Sequence, residues 1–282
     1  MAADSDTELI DLMHLGRARV IGAWRVGDVI VDPGPSSCLP SLLEGLQGRT
    51  PRALALTHIH LDHAGAAGSL VARYPDLEVW VHARGAPHLV DPTRLLASAR
   101  RLYGEDMQRL WAEMLPVPAE RVRELHGGEL MAPFRVAHTP GHASHHVSYL
   151  HQGSGRAFTG DVTGVRIGDG MVLAPTPPPD VDLAAWRSSL DLVESWAPDR
   201  LAITHFGDYE DVSEHLAAMR TALDETEAMA RDLDEPAFAA AMRARVNESV
   251  ADSQTAASYE QAVPPGQSFH GLVRYLRAQR AG

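Results

Sequence analysis

The chain has 282 residues, 45% of them hydrophobic and 22% charged, with a net charge of −12 at pH 7. That length supports a sizeable core; no apolar run approaches the ~20 residues of a membrane span, and the acidic balance argues against a broad nucleic-acid surface. Every one of the 25 basic residues is arginine, which excludes Schiff-base and P-loop lysine chemistry, and the lone Cys38 excludes a disulfide framework or a cysteine-based metal site.

The start, Met1 to Glu8, is acidic and lacks the basic and hydrophobic regions of a secretory signal, so the expected location is the cytoplasm. Strand character follows at 10–13, 18–24 and 28–31, ending in the turn Asp32-Pro33-Gly34. Leu39, Leu42, Leu43 and Leu46 repeat at helical spacing. Ala53-Leu54-Ala55-Leu56 reads as a buried strand that runs directly into Thr57. From Gly65 a helix is expected that stops before Pro75, and 77–82 is the next strand.

Asp91-Pro92 has the pattern of a helix start, and the apolar residues from Leu95 to Trp111 make 91–114 a helical insertion, read as a lid over a pocket. Strands return at 134–138, 147–150, 157–159 and 171–173, punctuated by Gly153-Ser154-Gly155 and Gly168-Asp169-Gly170. Asp180 or Asp182 caps a helix carrying Leu183, Trp186, Leu190 and Val193. Leu201 to Thr204 is a short strand ending at His205. Beyond Gly207 the pattern is helical, with Arg220–Asp224 and Glu227–Arg231 spaced for pairing one turn apart. Residues 1–207 are therefore expected to form the main domain and 208–282 a helical C-terminal extension.

The chemistry concentrates in Thr57-His58-Ile59-His60-Leu61-Asp62-His63. In an extended segment alternate side chains share a face, so His58 and His60 can converge on one cation while Asp62 and His63 reach a second. Imidazole with carboxylate suits zinc, iron or manganese. His142, Asp161 and His205 each lie just past a predicted strand, and strand ends on one edge bring distant residues together. One of His145 and His146, taken as His146, is expected to face the site.

In that order, His-x-His-x-Asp-His, Gly-His, Gly-Asp and Thr-His resemble the metallo-β-lactamase-fold hydrolases. The resemblance implies a four-layer αββα sandwich of the α/β class. It implies that His58, His60 and His142 bind one metal and Asp62, His63 and His205 another, with Asp161 bridging and Asp32 supporting the site from behind. Two divalent ions, expected as zinc, with iron and manganese also compatible, would generate a bridging hydroxide for attack on an ester-like bond. Asp62 and Asp161 would help fix that nucleophile. Thioesters and lactones stand ahead of phosphodiesters, and the substrate is expected to be a small molecule. The helical tail resembles in placement that of glyoxalase II, yet no lysine exists to hold glutathione and Phe206-Gly207 follows the last histidine. A mononuclear-iron persulfide dioxygenase of the same fold is the alternative. No nucleic-acid or membrane partner is expected, and self-association stays open.

Overall fold

Alternating side chains sort this chain into four layers. The computed structural model describes residues 6–281; the first five residues of the acidic start lie outside the described residues. A first mixed sheet contains β1 (Thr7–Asp11), β2 (Gly22–Val26), β3 (Val29–Val31), β4 (Ala53–Ala55), β5 (Glu78–His82) and β6 (Val122–Leu125), in spatial order identical to chain order. Its first three strands pair antiparallel, and β3 to β6 run parallel.

The second sheet contains β7 (Leu130–Met131), β8 (Phe134–His138), β9 (Val147–His151), β10 (Arg156–Phe158), β11 (Arg200–Ile203) and β12 (Gly207–Tyr209), again in chain order. Only β10 and β11 pair in parallel within it. Parallel neighbours need crossovers. These are α1 (Leu39–Leu46) between β3 and β4, α2 (Leu61–Ala64) and α3 (Ala67–Arg73) between β4 and β5, and α4 (Ala86–Val90), α5 (Thr93–Tyr103) and α6 (Met107–Trp111) between β5 and β6. Then come α7 (Leu183–Ser195) between β10 and β11, and the tail helices α8 (Val212–Asp232), α9 (Glu235–Ser249), α10 (Ser253–Ala262) and α11 (Pro265–Ala281).

Successive residues of a strand point to opposite faces. Val29, Val31, Ala53 and Ala55 therefore join Trp80, Phe134 and Phe158 in the core between the sheets. Ile30 and Leu54 point the other way, onto Leu42, Leu46 and Leu70 of the first helical layer. In the second sheet Ala202 faces inward, while Leu201 and Ile203 pack outward with Trp186, Leu190, Leu216 and Met219. Leu272, Phe238 and Met242 of the tail join that same outer core. The expected αββα sandwich with a C-terminal helical stretch is the observed architecture.

Several local expectations change. Met171–Leu173 forms no strand: only Leu173 bridges Val165, because Val172 and Leu173 are drawn into the outer core. Gly207–Tyr209 is a strand continuous across the expected 207/208 boundary, held to β11 by backbone pairing that needs no apolar alternation. The Arg220 guanidinium turns from Asp224 to Asp191 and Glu194 on α7, while Arg187 of α7 takes Asp224 and Glu227. Adjacent helices offered each arginine two carboxylates instead of one. Glu227 and Arg231 do pair one turn apart, at 2.5 Å. Among the described residues no helix is long and apolar enough to cross a membrane.

Helix α7 also positions a loop. Asp182 caps it by accepting from the Ala185 N–H at 3.0 Å, and the Asp182 N–H donates to the Gly141 carbonyl at 2.8 Å. Gly141 has φ of +143°, and a Cβ there would lie 2.4 Å from Cα and Cβ of Trp186. Only glycine meets both demands. Gly141→Ala is expected to cost about 1–3 kcal/mol from overpacking, read as a lowered Tm in thermal unfolding; an unchanged Tm would contradict this packing account.

Candidate metal centre

Four strand ends meet at one edge of the sandwich. Thr57 to His60 leave β4, His142 sits in the loop after β8, Asp161 follows β10 and His205 follows β11. The sheets are tied there by backbone bonds: Val147 N–H donates to Thr57 O at 2.8 Å, and Gly22 N–H to Thr204 O at 2.9 Å. His58 and His60 do converge, but Asp62 and His63 are not extended. They lie on the short helix α2, whose turn swings both side chains towards His205.

The candidate ligand atoms fall into overlapping sets. His60 Nδ1 lies 3.0 Å from His58 Nε2 and 2.9 Å from His142 Nε2. His205 Nε2 lies 3.4 Å from Asp62 Oδ2, and His63 Nε2 lies 3.9 Å from the same oxygen. Asp161 stands between the sets: Oδ2 is 3.3 Å from His142 Nε2, while Oδ1 is 3.3 Å from His63 Nε2 and 3.6 Å from His205 Nε2. Each of the groups His58/His60/His142, His58/His63/Asp161 and Asp62/His63/His205 keeps its ligating atoms within 4.8 Å of one another.

The other ring nitrogens fix the tautomers. His63 Nδ1–H donates to Asp32 Oδ2 at 2.8 Å, His142 Nδ1–H to Pro175 O at 2.8 Å, and His205 Nδ1–H to Val20 O at 2.6 Å. His58 Nδ1 has the Thr57 hydroxyl at 3.1 Å. With Nδ1 protonated, Nε2 presents a lone pair to the centre. One N–H on His60 could satisfy only one of the two histidines it meets. Buried His63 Nε2 and Asp161 Oδ1 have no hydrogen-bond partner at all. Facing lone pairs and orphaned acceptors in a buried site fit a cation.

Charge follows the same division. Burial, reinforced by the neighbouring imidazoles, holds His58 well below the usual histidine range and His60 at about 4, which favours the neutral form that a metal requires. Burial pushes the Asp161 carboxyl up, but His63, His142 and His205 overcome it and hold it well below the usual range. Burial likewise opposes charge on His63, which Asp161, Asp32 and Asp62 nonetheless raise.

Asp32 is the hub behind the ligands. It is fully buried and has φ of +50°, a left-handed conformation that aspartate tolerates better than most residues. Oδ1 accepts from the Thr57 N–H at 2.8 Å; Oδ2 accepts from the Thr57 hydroxyl at 2.7 Å, the Thr204 hydroxyl at 3.0 Å and His63. Sequence reasoning missed Thr57 and Thr204 in this role. The repeated Thr-His at 57–58 and 204–205 was the available signal. The two histidines at 145–146 divide between the cavity and the layer behind the candidate ligands. His145 lines the cavity, whereas His146 turns back to the Thr139 hydroxyl at 2.9 Å and stacks on His58.

Asp32→Asn replaces one acceptor with a donor that faces either the Thr57 N–H or, at the other oxygen, His63 and the two threonine hydroxyls. Metal affinity is expected to fall about 10–100-fold, measured by chelator competition on protein that remains folded; unchanged affinity would remove Asp32 from the account.

The family model for the metallo-beta-lactamase superfamily matches residues 27–205, well over half of the chain. A hydroxyacylglutathione hydrolase from Xanthomonas campestris pv. campestris is 33% identical over 57% of this chain and 51% of its own length. The chain thus spans about half the length of such curated relatives. Among solved structures, the archaeal superfamily protein ST1585 from Sulfolobus tokodaii is similar over 95% of this chain and 98% of its own, with TM-score 0.69 and 20% identity. TTHA1623, solved in a di-iron-bound form, is similar over 67% of this chain and 87% of its own, with TM-score 0.52 and 29% identity. With motif order, strand ends and family model in agreement, this chain belongs to the metallo-β-lactamase superfamily.

Proposed function

We propose that this chain is a metal-dependent hydrolase acting on an ester-like bond, a thioester or lactone ahead of a phosphodiester, at a centre of two divalent cations. The observation that carries the reading is Asp161: its two carboxylate oxygens face different histidine sets, His142 on one side and His63 with His205 on the other. His58, His60 and His142 would hold one cation and Asp62, His63 and His205 the other, with Asp161 shared. Zinc suits this donor set, and iron stands beside it.

Such cations supply a Lewis acid for a carbonyl or phosphoryl oxygen and lower the pKa of bound water from about 15.7 towards about 7. The chain's own residues do the rest. Asp62 lines the cavity, and His63 and His205 hold its carboxyl in the charged form against burial. It is placed to accept the hydrogen bond that orients the attacking water. Asp32, through His63 and both threonines, stops the ligands from turning away. Trp111, Leu110 and Pro177 wall the cavity and give it an apolar side.

The name of the Xanthomonas relative, hydroxyacylglutathione hydrolase, supports a thioester. A panel of thioester, lactone and phosphodiester substrates tests the reading. Turnover of a thioester or lactone is expected, abolished in His142→Ala and in Asp161→Ala while circular dichroism and Tm report folded protein. Retained turnover in either variant means the ligand set is wrong. Iron-dependent oxygen consumption without hydrolysis would overturn the hydrolase reading itself.

A further inference from the structure

The cavity in front of the ligands measures about 810 Å3, towards the upper end of the roughly 300–1,000 Å3 of small-molecule pockets. Its walls carry an unspent positive charge. Arg84, just past β5, Arg94 and Arg101 on α5, and Arg274 on α11 all reach its lining. Each is solvent-exposed. Among the described residues none of the four pairs with a carboxylate: Arg84 donates to Ser144 O at 3.3 Å, and Arg274 to Pro179 O at 3.1 Å.

Several arginines elsewhere in the chain are held by acids. Arg187, Arg220, Arg200 and Arg25 each meet two carboxylates. The acids beside the cavity do not neutralise the four. Asp106 is taken by Arg109 at 3.0 Å and Asp62 and Asp161 belong to the candidate ligand set, which leaves Asp180, accepting the Ser144 hydroxyl at 2.7 Å, as one carboxylate against four arginines on the lining. Arg94 and Arg101 are two helical turns apart and so share a face of α5. Leu95 and Leu102, offset by one, line the cavity with them. Arg100, on the same helix, does not reach it.

A solvated helix face explains Arg100 but not four arginines from three elements around one mouth. In a chain of net charge −12, a cationic rim reverses the local field and draws an anion where the rest of the surface repels it. Guanidinium groups without a carboxylate of their own are matched to an oxyanion.

We propose that the substrate carries an oxyanion, a carboxylate or a phosphate, at the end remote from the bond that is broken, and that Arg84, Arg94, Arg101 and Arg274 hold it. The remote position rests on the hydrolase reading, which puts the reacting bond at the ligands; the anion preference does not.

Three S-butyl thioethers that cannot be hydrolysed separate the two claims: one ending in a propanamide, one in the isosteric propionate and one in an ethyl phosphate. Calorimetric titration of each into the metal-loaded protein is expected to give about tenfold tighter binding of an anionic probe than of the amide, weakening as salt rises. Whichever of propionate and phosphate binds more tightly identifies the oxyanion. The preference should collapse towards one in the combined Arg84→Gln, Arg94→Gln, Arg101→Gln, Arg274→Gln variant and persist in Arg100→Gln. Equal binding of amide and anions, or a preference that survives the fourfold substitution, overturns the proposal. So does a collapse in Arg100→Gln, which would make the effect one of total charge. The matching butyryl thioesters read the other claim: if none is turned over while the thioether preference stands, the thioester reading fails and the anion site remains.

Discussion

One buried carboxylate holds the site together. Asp32 closes β3, yet its hydrogen bonds reach the end of β4 through Thr57, the helix α2 through His63 and the end of β11 in the opposite sheet through Thr204. A buried charge is expensive unless it is fully hydrogen-bonded. Four donors meet that demand here, and each of them fixes a residue that is a candidate ligand or precedes one. Loss of any single donor leaves the others to compensate a charge that cannot reach water, which is why the arrangement is stiff. The same bonds orient His63 and, through the Thr57 hydroxyl, His58.

The sandwich places those ends by elementary means. Short strands such as Val29–Val31 and Ala53–Ala55 are buried on both faces, so their register is set by two apolar layers at once. Crossover helices return the chain so that β3, β4 and β5 run the same way, and the loops leaving them open on one edge. The second sheet contributes through the parallel pair β10 and β11. Glycines let the loops close in. At Gly160, φ is +48° and a Cβ would lie 2.4 Å from the Thr57 hydroxyl, so Asp161 comes up against the Asp32 network only because glycine precedes it.

Much of this was legible in the sequence because it rests on local rules. Leu39–Leu46 shows helical spacing and is a helix with those bounds, and Asp182 is a cap residue that caps. The candidate ligands stood out because histidine and aspartate at strand ends have few structural uses in such density. What stayed hidden depends on partners distant in sequence. Nothing local marks Leu61–Ala64 as helical, since its turn is stabilised by where His63 must reach. Arg220 could not be assigned to α7 before α7 and α8 were known to lie side by side. The choice between His145 and His146 turned on whether Thr139 was near, and the carbonyls of Val20 and Pro175 carry no side-chain signal at all.

The insertion and the tail give the cavity its other wall. Tyr103 on α5 reaches Gln267 on α11 at 3.4 Å, and His14 joins them by stacking on Trp111 and meeting Gln261. Three separate parts of the chain thus close around one space, with the candidate ligands as its floor. The account depends on that floor holding two cations, one in each histidine set with Asp161 between. Metal analysis of the chain purified without added metal tests this most directly. Two divalent ions per chain are the predicted result, and one ion or none would contradict it.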